Sequence, residues 1–317
     1  MGNGQKRIMK TRMWVALLVI YLVWGATYLA IRLAVEFMPP FLMAGSRFLI
    51  AGSVLFIWRR LAGDETPKLK EWRIAGIIGL FFVLGGNGGV TWAEQMVPSG
   101  IAALVIATSP LWMVIIDLVL PGTKRPNLLA ILGVLVGFIG IFILIGPQQF
   151  LGVSSGLHPV GIFVLLFSAL SWAVGTIYAR EAARPSSAIM RISMLMLVGG
   201  GVLFVLGSIT GEWRLVDLTA IPAVSWAGFL YLILFGSIVG FITYNWLLRV
   251  VPTPLVSTYA YVNPVIAILL RTFLVNEPLT ARIIIAAVII VFAVVLINFA
   301  FHPRSQPEDQ TVHAPGG

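Results

Sequence analysis

Residues Leu80–Pro98 read LFFVLGGNGGVTWAEQMVP, and the same pattern returns in Leu234–Pro252 as LFGSIVGFITYNWLLRVVP. Leucine, phenylalanine, glycine, tryptophan, valine and proline recur in one register without a gap. Leucine matches arise easily in an apolar chain, whereas matched tryptophan, glycine and proline residues do not. The two stretches therefore indicate an internal duplication, which has to be recognised before a fold is assigned.

The duplication extends well beyond these two stretches. Towards the C-terminus Pro110 corresponds to Pro264, and towards the N-terminus Trp24 corresponds to Trp172. Membrane chains with internal repeats are often secondary transporters whose substrate site lies where the repeats meet. The sequence therefore directs attention to residues in the middle of the predicted spans.

The composition is that of an integral membrane protein. Hydrophobic residues make up 59% of the 317 residues and charged residues only 10%, whereas soluble domains carry about 25% charged residues. A helix needs about 20 mainly apolar residues to cross a bilayer. We predict an all-α protein with ten transmembrane helices near residues 13–33, 39–58, 72–93, 98–120, 127–146, 157–179, 187–209, 224–247, 253–275 and 281–301.

The ten segments fall into two repeats of five. The first repeat covers residues 13–146 and the second covers 157–301, with an extracytoplasmic linker at 147–156. Because each repeat has an odd number of crossings, the two are expected to be inverted about an axis in the membrane plane. Residues 1–12 are predicted as a cytoplasmic N-terminus before an uncleaved first helix, and residues 302–317 as a disordered cytoplasmic tail.

The basic residues predict the orientation of the chain. If the N-terminus is inside, the outer regions hold only four of the basic side chains: Arg32, Arg214, Arg271 and Arg282. Lys and Arg are enriched in cytoplasmic loops, so both termini are expected on the cytoplasmic side of a bacterial plasma (inner) membrane. The net charge of +9 then reflects loops beside anionic lipid. The expected partner is the lipid bilayer, not nucleic acid.

Motifs of enzymes and metal sites are missing from the sequence. It contains no G-x-x-x-x-G-K-[ST] and no H-E-x-x-H, and it has no cysteine. Its G-x-S-x-G match, Gly152–Gly156, lies in the predicted linker and not at the strand-to-helix turn that a nucleophilic serine needs. The three histidines, His158, His302 and His313, lie at a helix start and in the tail. We therefore expect no enzymatic activity, no cofactor and no metal.

Three stretches resemble a known family: WGATYLAIRLAVEFMPPFLMAGSRFLIAG (Trp24–Gly52), GNGGVTWAEQMVPSGIAALVIATSPLW (Gly86–Trp112) and FGSIVGFITYNWLLRVVPTPLVSTYAYVNPVIAILL (Phe235–Leu270). They are similar to the EamA family of the drug/metabolite transporter superfamily. The strings A-E-x-x-V-P-S-G (Ala93–Gly100) and S-x-Y-A-Y-V-N-P-V (Ser257–Val265) resemble its YedA-like branch. The resemblance implies ten helices in inverted repeats and the export or exchange of small metabolites, amino acids or drugs.

Aromatic and polar side chains deep in the spans are the candidates for a substrate site. Trp24 and Tyr28 lie about one turn apart on the first span, with Thr27 beside them. Trp172 and Thr176 repeat this spacing on the sixth span. The two faces would oppose each other across a cavity if the repeats are inverted. The alternative is that the rings only pack against neighbouring helices.

Further candidates lie on the third, fourth and ninth spans. A buried amide such as that of Asn87 needs a partner in lipid, which a ligand or a neighbouring helix would supply. Tyr259 and Asn263 share a face of the ninth span, and Ser109 corresponds to Asn263 in the first repeat. The glycines around Asn87 are expected to serve close helix packing.

Two prolines lie in the middle of predicted spans. Pro110 and Pro264 are equivalent in the duplicated sequence. Proline removes a backbone hydrogen bond and bends a helix. We predict that both act as hinges.

Two charged residues stand out because they lie within or at the end of a span. Arg47 on the second span either anchors a substrate carboxylate or is tied to backbone carbonyls, to Glu36 or to Glu94. Glu94, at the outer end of the third span, is either a proton carrier or a solvent-exposed residue at a helix end.

These features predict a secondary transporter that exports small organic metabolites, amino acids or drugs by alternating access. A passive facilitator or channel on the same fold is the alternative, and a receptor or assembly partner without transport is the weakest. Gly133 and Gly137, spaced as G-x-x-x-G, would allow a homodimer. Packing within the chain is the simpler expectation for them.

Overall fold

The computed structural model describes residues 3–97, 99–119, 127–145, 158–182, 187–275 and 281–300. Within these ranges the chain is entirely helical and contains no β-strand. An all-helical fold is what lipid demands, since every backbone amide and carbonyl of an isolated span must be satisfied inside that span. The predicted linker at 147–156 and the predicted tail at 302–317 lie outside the described residues.

The helical elements follow one another with short connections. The α-helices and the two π-helical stretches, π1 and π2, are as follows: α1 Asn3–Val35, α2 Pro40–Leu61, α3 Leu69–Gly79, π1 Leu80–Gly88, α4 Gly89–Ala93, α5 Ser99–Ile106, α6 Ser109–Val119, α7 Leu128–Ile145, α8 Pro159–Glu181, α9 Ala188–Ile209, α10 Ala223–Tyr231, π2 Leu232–Val239, α11 Gly240–Val250, α12 Thr253–Val256, α13 Tyr259–Val275 and α14 Ala281–Ala300. A 3₁₀ turn, Glu212–Leu215, lies between α9 and α10. The helix of α1 starts within the residues predicted to precede the first span.

Six helical segments of the described chain are long and apolar enough to cross a membrane: Arg7–Val35, Pro40–Leu61, Leu69–Ala93, Pro159–Arg180, Ala188–Ile209 and Ala223–Val250. Large apolar side chains such as Phe163, Val205 and Leu230 are more than half exposed on their outer faces. Lipid accounts for such faces, because apolar surface facing water would be costly. The chain is therefore a multi-pass membrane protein.

The helices of the two halves pack reciprocally. Two continuous helical rods are formed by α3, π1 and α4 and by α10, π2 and α11. The first helix, α1, packs on α13 and on the α10–π2–α11 rod. In the other half, α8 packs on α5, α6 and the α3–π1–α4 rod. The second helix, α2, packs on α9, and α7 packs on α14. The contacts of α1 and of α8 with the rod of the opposite half thus correspond when the halves are exchanged.

Glycines let these helices approach closely. A methyl group on Gly85 would lie 2.2 Å from the Ser171 hydroxyl oxygen, and one on Gly240 would lie 2.2 Å from Trp24 Nε1. Gly133 and Gly137 likewise face Ile297 and Tyr261. The G-x-x-x-G motif of α7 is therefore used within the chain, so the structure gives no support to a homodimer through it.

The two broken helices differ in where they break. The predicted fourth span is broken between α5 and α6. Pro110 is therefore the second residue of α6, where its missing N–H costs no helical hydrogen bond. The Ser109 hydroxyl donates a hydrogen bond of 2.6 Å to the Ile106 carbonyl. In the other half the break lies between α12 and α13, and Pro264 lies inside α13.

Candidate functional site

An aromatic cluster lies where the two halves meet, with Trp24 at its centre. The ring centroid of Trp24 lies 5.3 Å from that of Trp172, 5.0 Å from that of Tyr244 and 4.9 Å from that of Tyr259. Trp24 Nε1 donates a hydrogen bond of 3.1 Å to the Gly236 carbonyl of π2. The pairs with Trp172 and Tyr259 are edge to face, and such aromatic pairs contribute roughly 0.5–1.5 kcal/mol each beyond their area burial. The cluster therefore joins α1 to three helices of the second half.

A cavity of about 70 Å³ opens beside this cluster. Its walls are formed by α1, α2, the π1–α4 rod, α5, α8, α11 and α13. The lining residues are Trp24, Thr27, Tyr28, Ile31, Arg47, Gly86, Asn87, Val90, Ile106, Ser168, Trp172, Phe241, Tyr259 and Asn263. This volume is about that of two water molecules, whereas ligand sites usually have roughly 300–1,000 Å³.

Most of the side chains that the sequence singled out line this one cavity. The exceptions among the substrate candidates are Ser109 and Thr176, which lie behind its wall. The Ser109 hydroxyl is bound to the Ile106 carbonyl, and the Thr176 hydroxyl lies 2.7 Å from the Tyr244 hydroxyl. The Thr176 hydroxyl also lies 2.8 Å from the carbonyl of the lining residue Trp172. Ser109 and Thr176 therefore contact the backbone of lining residues and are not part of the lining.

Sequence reasoning missed several lining residues, notably Ser168 and Phe241. Phe241 and Tyr244 are three residues apart on α11, so helical periodicity places them on one face, but the sequence does not show what that face contacts. Ser168 gave no usable signal, because its hydroxyl donates to the Val164 carbonyl of its own helix at 2.8 Å. Such a serine resembles any other buried serine in a membrane helix.

Arg47 is buried, with only 2% of its surface exposed, and faces the cavity from α2. Its Nε donates a hydrogen bond of 2.7 Å to the Ser237 hydroxyl on π2, and its Cζ lies 4.5 Å from the centroid of the Phe48 ring. Its Nη1 has no hydrogen-bond partner among the described residues. Neither Glu36 nor Glu94 forms an ion pair with it, so the expected tie to one of these carboxylates is not found.

The two asparagines of the cavity differ in how their amides are satisfied. Asn87 Nδ2 donates a hydrogen bond of 3.1 Å to the Phe82 carbonyl within the same rod. Asn263 is 2% exposed, and its Oδ1 has no partner among the described residues. An unpaired buried carbonyl is unusual, and here it lies in the wall of a cavity.

Glu94 lies just after α4 and is completely buried. Both of its carboxylate oxygens lack a hydrogen-bond partner among the described residues. Arg32 Nη1 donates a hydrogen bond of 2.9 Å to the backbone carbonyl of Glu94, not to its side chain. The alternative of a solvent-exposed residue at a helix end is therefore wrong.

A bundle of apolar helices with a small polar and aromatic cavity between its halves is an architecture found in multi-pass membrane transporters. The model of the EamA-like transporter family matches residues 12–146 and 159–299. The chain belongs to the EamA-like transporter family.

No group of three or more metal-ligating side chains is found in the part of the chain that the structure describes.

Relatives of the chain carry transporter names. The chain is 42% identical over 287 residues to the uncharacterized inner membrane transporter YedA of Escherichia coli strain K12, covering 89% of each chain. It is 25% identical over 294 residues to the uncharacterized transporter YvbV of Bacillus subtilis strain 168, covering 92% of this chain and 93% of the other. A crystal structure with 22% identity shares the fold, with a TM-score of 0.73 over 91% of this chain and 97% of the other.

Proposed function

We propose that the chain is a secondary transporter that exports small organic metabolites, amino acids or drugs by alternating access between two inverted five-helix repeats. The observation that carries this proposal is the cavity where Trp24 of one half meets Trp172 of the other. Its walls combine aromatic faces with a few polar groups, as small-molecule sites do. The residues proposed to contact substrate are Trp24, Thr27, Tyr28, Arg47, Asn87, Trp172, Tyr259 and Asn263.

Reciprocal packing supports the ten-span, inverted topology. The contacts of α1 with α13 and of α8 with α6 are counterparts, and so are the contacts of each with the opposite π-containing rod. The stretches π1 and π2 overlap when the two repeats of the sequence are aligned. A π-helical stretch often marks a functional site, and both of these border the cavity or its wall.

The size of the cavity favours a closed state in the proposed cycle. Because it is far smaller than a metabolite site, its walls must separate before a substrate enters. The breaks before α6 and before α13 adjoin the lining residues Ile106 and Tyr259. At these breaks the helical hydrogen bonds are already interrupted, so a bend there costs little. We therefore assign hinge roles to these breaks. Pro110 lies at the first break, and Pro264 lies within α13, where its missing N–H is proposed to make the helix easier to bend.

The same proposal includes a location and an orientation. The name of the relative YedA refers to the inner membrane, and we assign this chain to the bacterial inner membrane. Both termini are assigned to the cytoplasm, because the basic loops would then face the side on which Lys and Arg accumulate.

Proton coupling through Glu94 is the proposed source of energy. A charged carboxylate without donors is strongly disfavoured when buried, whereas the neutral acid costs much less. The buried side chain would therefore carry a proton in the closed conformation and release it when a neighbouring opening admits water. Exchange of a proton for a substrate on the opposite side then follows from alternating access.

Uptake into proteoliposomes tests the proposal. Purified protein is reconstituted, and the uptake of radiolabelled amino acids and amphipathic drugs is measured with and without an imposed pH gradient. Accumulation above equilibrium in the presence of the gradient is expected. Flux that only equilibrates would support the facilitator instead, and no flux beyond that of empty liposomes for any compound would contradict a transport function.

A further inference from the structure

The cavity wall holds a cation that no described residue neutralises. The Arg47 guanidinium is 2% exposed, and no acidic side chain of the described residues lies within ion-pair distance of it. Arginine stays protonated in proteins, and a charge within the membrane is costly unless it finds a partner. No acidic side chain of the described residues therefore neutralises the guanidinium in this conformation.

The guanidinium is held in a fixed position by its neighbours. Its Nε is bound to Ser237, and its plane lies near the Phe48 ring. A methyl group on Gly236 would lie 3.1 Å from Nη2, so this glycine gives the guanidinium its space against π2. Nη1 is left without a partner. A donor that is fixed and unsatisfied at a cavity wall is preorganised for an acceptor.

A second unsatisfied atom lies in the same wall. Asn263 Oδ1 is buried and has no partner among the described residues, and it lines the cavity with Arg47. The rest of the wall near it is aromatic, with Trp24, Trp172 and Tyr259 contributing rings. Trp172 Nε1 is a further buried donor of the wall without a partner among the described residues. The lining therefore offers one cationic donor, one neutral donor, one neutral acceptor and a large apolar surface.

We infer that the substrates are small organic monocarboxylates with an apolar or aromatic body. The carboxylate binds Arg47, and the body lies against the Trp24 and Trp172 rings. A single negative charge is expected, because the position that corresponds to Arg47 in the second repeat is Leu195, which is fully buried. This inference rests on the proposed function, since it names the substrate class of the same cavity.

The competing class is that of organic cations. Aromatic rings attract cations, and Trp24, Trp172 and Tyr259 would form three sides of a cage. However, a fixed guanidinium in the same small cavity repels a second cation, and the repulsion is strong because little water screens it. The unpaired charge of Arg47 therefore favours the anion.

A matched set of three ligands tests the inference directly. Phenylacetate, phenylacetamide and phenethylammonium share the ring and a short linker and differ in charge. Binding to the full chain in detergent is measured by isothermal titration calorimetry. We expect phenylacetate to bind at least tenfold more tightly than either of the others. The inference would be overturned if phenethylammonium bound as tightly as phenylacetate or more tightly, or if phenylacetate bound no better than phenylacetamide. It would also be overturned if none of the three compounds bound.

Variants at Arg47 show whether the preference depends on the guanidinium. In Arg47→Gln the preference for phenylacetate over phenylacetamide should vanish, whereas Arg47→Lys should keep part of it because the charge remains without the planar fork. Arg73→Gln makes the same chemical change at an exposed position of α3 and should keep the full preference. Loss of the preference in Arg73→Gln, or full retention in Arg47→Gln, would contradict the role of Arg47. If Arg47→Gln does not fold, the wild-type comparison and Arg47→Lys still decide.

Binding and flux separate this inference from the transport proposal. Phenylacetate binding in detergent without flux in proteoliposomes would leave the anion site standing and overturn the transporter. Flux of neutral or cationic compounds without any preference for carboxylates would leave the transporter standing and overturn the anion site.

Discussion

Trp24 and Trp172 meet edge to face at the centre of the molecule, with ring centroids 5.3 Å apart and ring planes at 85°. They occupy corresponding positions in the duplicated sequence. Residues that are exchanged by a two-fold axis touch each other only when they lie close to that axis. The contact is therefore the one expected beside an axis between inverted repeats, and the cavity opens at the same place.

Replacement of Trp24 should damage both stability and transport. Trp24→Ala removes four ring contacts and the hydrogen bond to the Gly236 carbonyl. Truncation of a core tryptophan costs roughly 3–5 kcal/mol, and we expect a lower Tm in detergent and at least a tenfold loss of uptake. Trp24→Phe should lose less of both.

The control for this prediction lies on the same helix. Trp14 is 37% exposed and is not part of the cavity lining, so Trp14→Ala should leave uptake within twofold of wild type. Uptake by Trp24→Ala equal to that of Trp14→Ala would argue against a substrate site at the cluster.

Adding one methyl group at Gly240 of α11 should lower the stability, whereas the same change at an ordinary helical glycine should not. In Gly240→Ala the new carbon would lie 2.2 Å from Trp24 Nε1, and such overpacking costs roughly 1–3 kcal/mol. We expect a lower Tm and reduced uptake. The measurement is a thermal unfolding curve of each variant in the same detergent.

Gly201 provides the matched comparison for Gly240. A methyl group there would have its nearest neighbour at 4.0 Å, on Leu49. Gly201→Ala should therefore raise the Tm slightly, because alanine is a better helix former by up to about 1 kcal/mol. An equal fall in Tm for both variants would mean that close packing on Trp24 does not explain the effect.

Asp64 links the end of the second predicted span to the start of the seventh, outside the membrane. It forms an ion pair of 2.5 Å with Arg59 and accepts a hydrogen bond of 2.6 Å from the Ser187 hydroxyl. The hydrogen bond from Arg59, followed by that from Ser187, lowers the pKa of Asp64 from 3.8 to about 2. A lowered pKa gives a stabilising contribution that is present above pH 3.8 and is lost as the pH falls towards 2.

The expected result for Asp64→Asn is a lower Tm at neutral pH. The difference from wild type should stay constant from about pH 5 to pH 8 and shrink below about pH 4. Glu65→Gln removes an exposed carboxylate next to it in sequence and should leave the Tm unchanged. A difference that grows as the medium becomes acidic would contradict the assigned role of the ion pair.

Glu94→Gln should uncouple transport from protons. The amide keeps the size of the side chain but cannot exchange a proton at either side of the membrane. We expect accumulation driven by a pH gradient to disappear, while exchange of labelled for unlabelled substrate persists within about threefold. Adding Gln95→Glu to the Glu94→Gln variant places a carboxylate at an exposed neighbouring position and should not restore proton coupling. Accumulation by Glu94→Gln at the wild-type level would exclude Glu94 as the proton carrier.

The sequence singled out only part of the residues that line the cavity. Trp24, Tyr28 and Arg47 could be chosen because polar and aromatic groups are conspicuous in the middle of an apolar span. Phe241 could not be chosen this way, because a phenylalanine is ordinary in a membrane helix and only tertiary packing brings it to the cavity. The burial of Glu94 also depends on how α4 packs, which helix length and composition do not determine.

The helices, too, could be predicted from the sequence only in part. The duplication predicted that the third and eighth spans are equivalent, and these spans are the α3–π1–α4 and α10–π2–α11 rods. The match to the EamA-like family confirms the resemblance that the sequence motifs indicated. The π-helical stretches could not be predicted, since one extra residue in a turn hardly changes an apolar pattern. The break before α13 falls at Ser257 and Thr258 and not at Pro264, and the Thr258 hydroxyl there donates a hydrogen bond of 2.6 Å to the Leu255 carbonyl.

Alternating access requires that the cavity opens to each side of the membrane in turn, and the absence of cysteine from the chain makes this directly measurable. Val90→Cys and Ser168→Cys put a thiol on the cavity wall in each half, and Ala75→Cys puts one at a fully buried position away from it. Labelling with a membrane-impermeant maleimide is measured in right-side-out and in inside-out vesicles. We expect both cavity thiols to react from both sides and the Ala75→Cys variant to react from neither. Reaction of the cavity thiols from one side only, or from neither side, would contradict alternating access through this cavity.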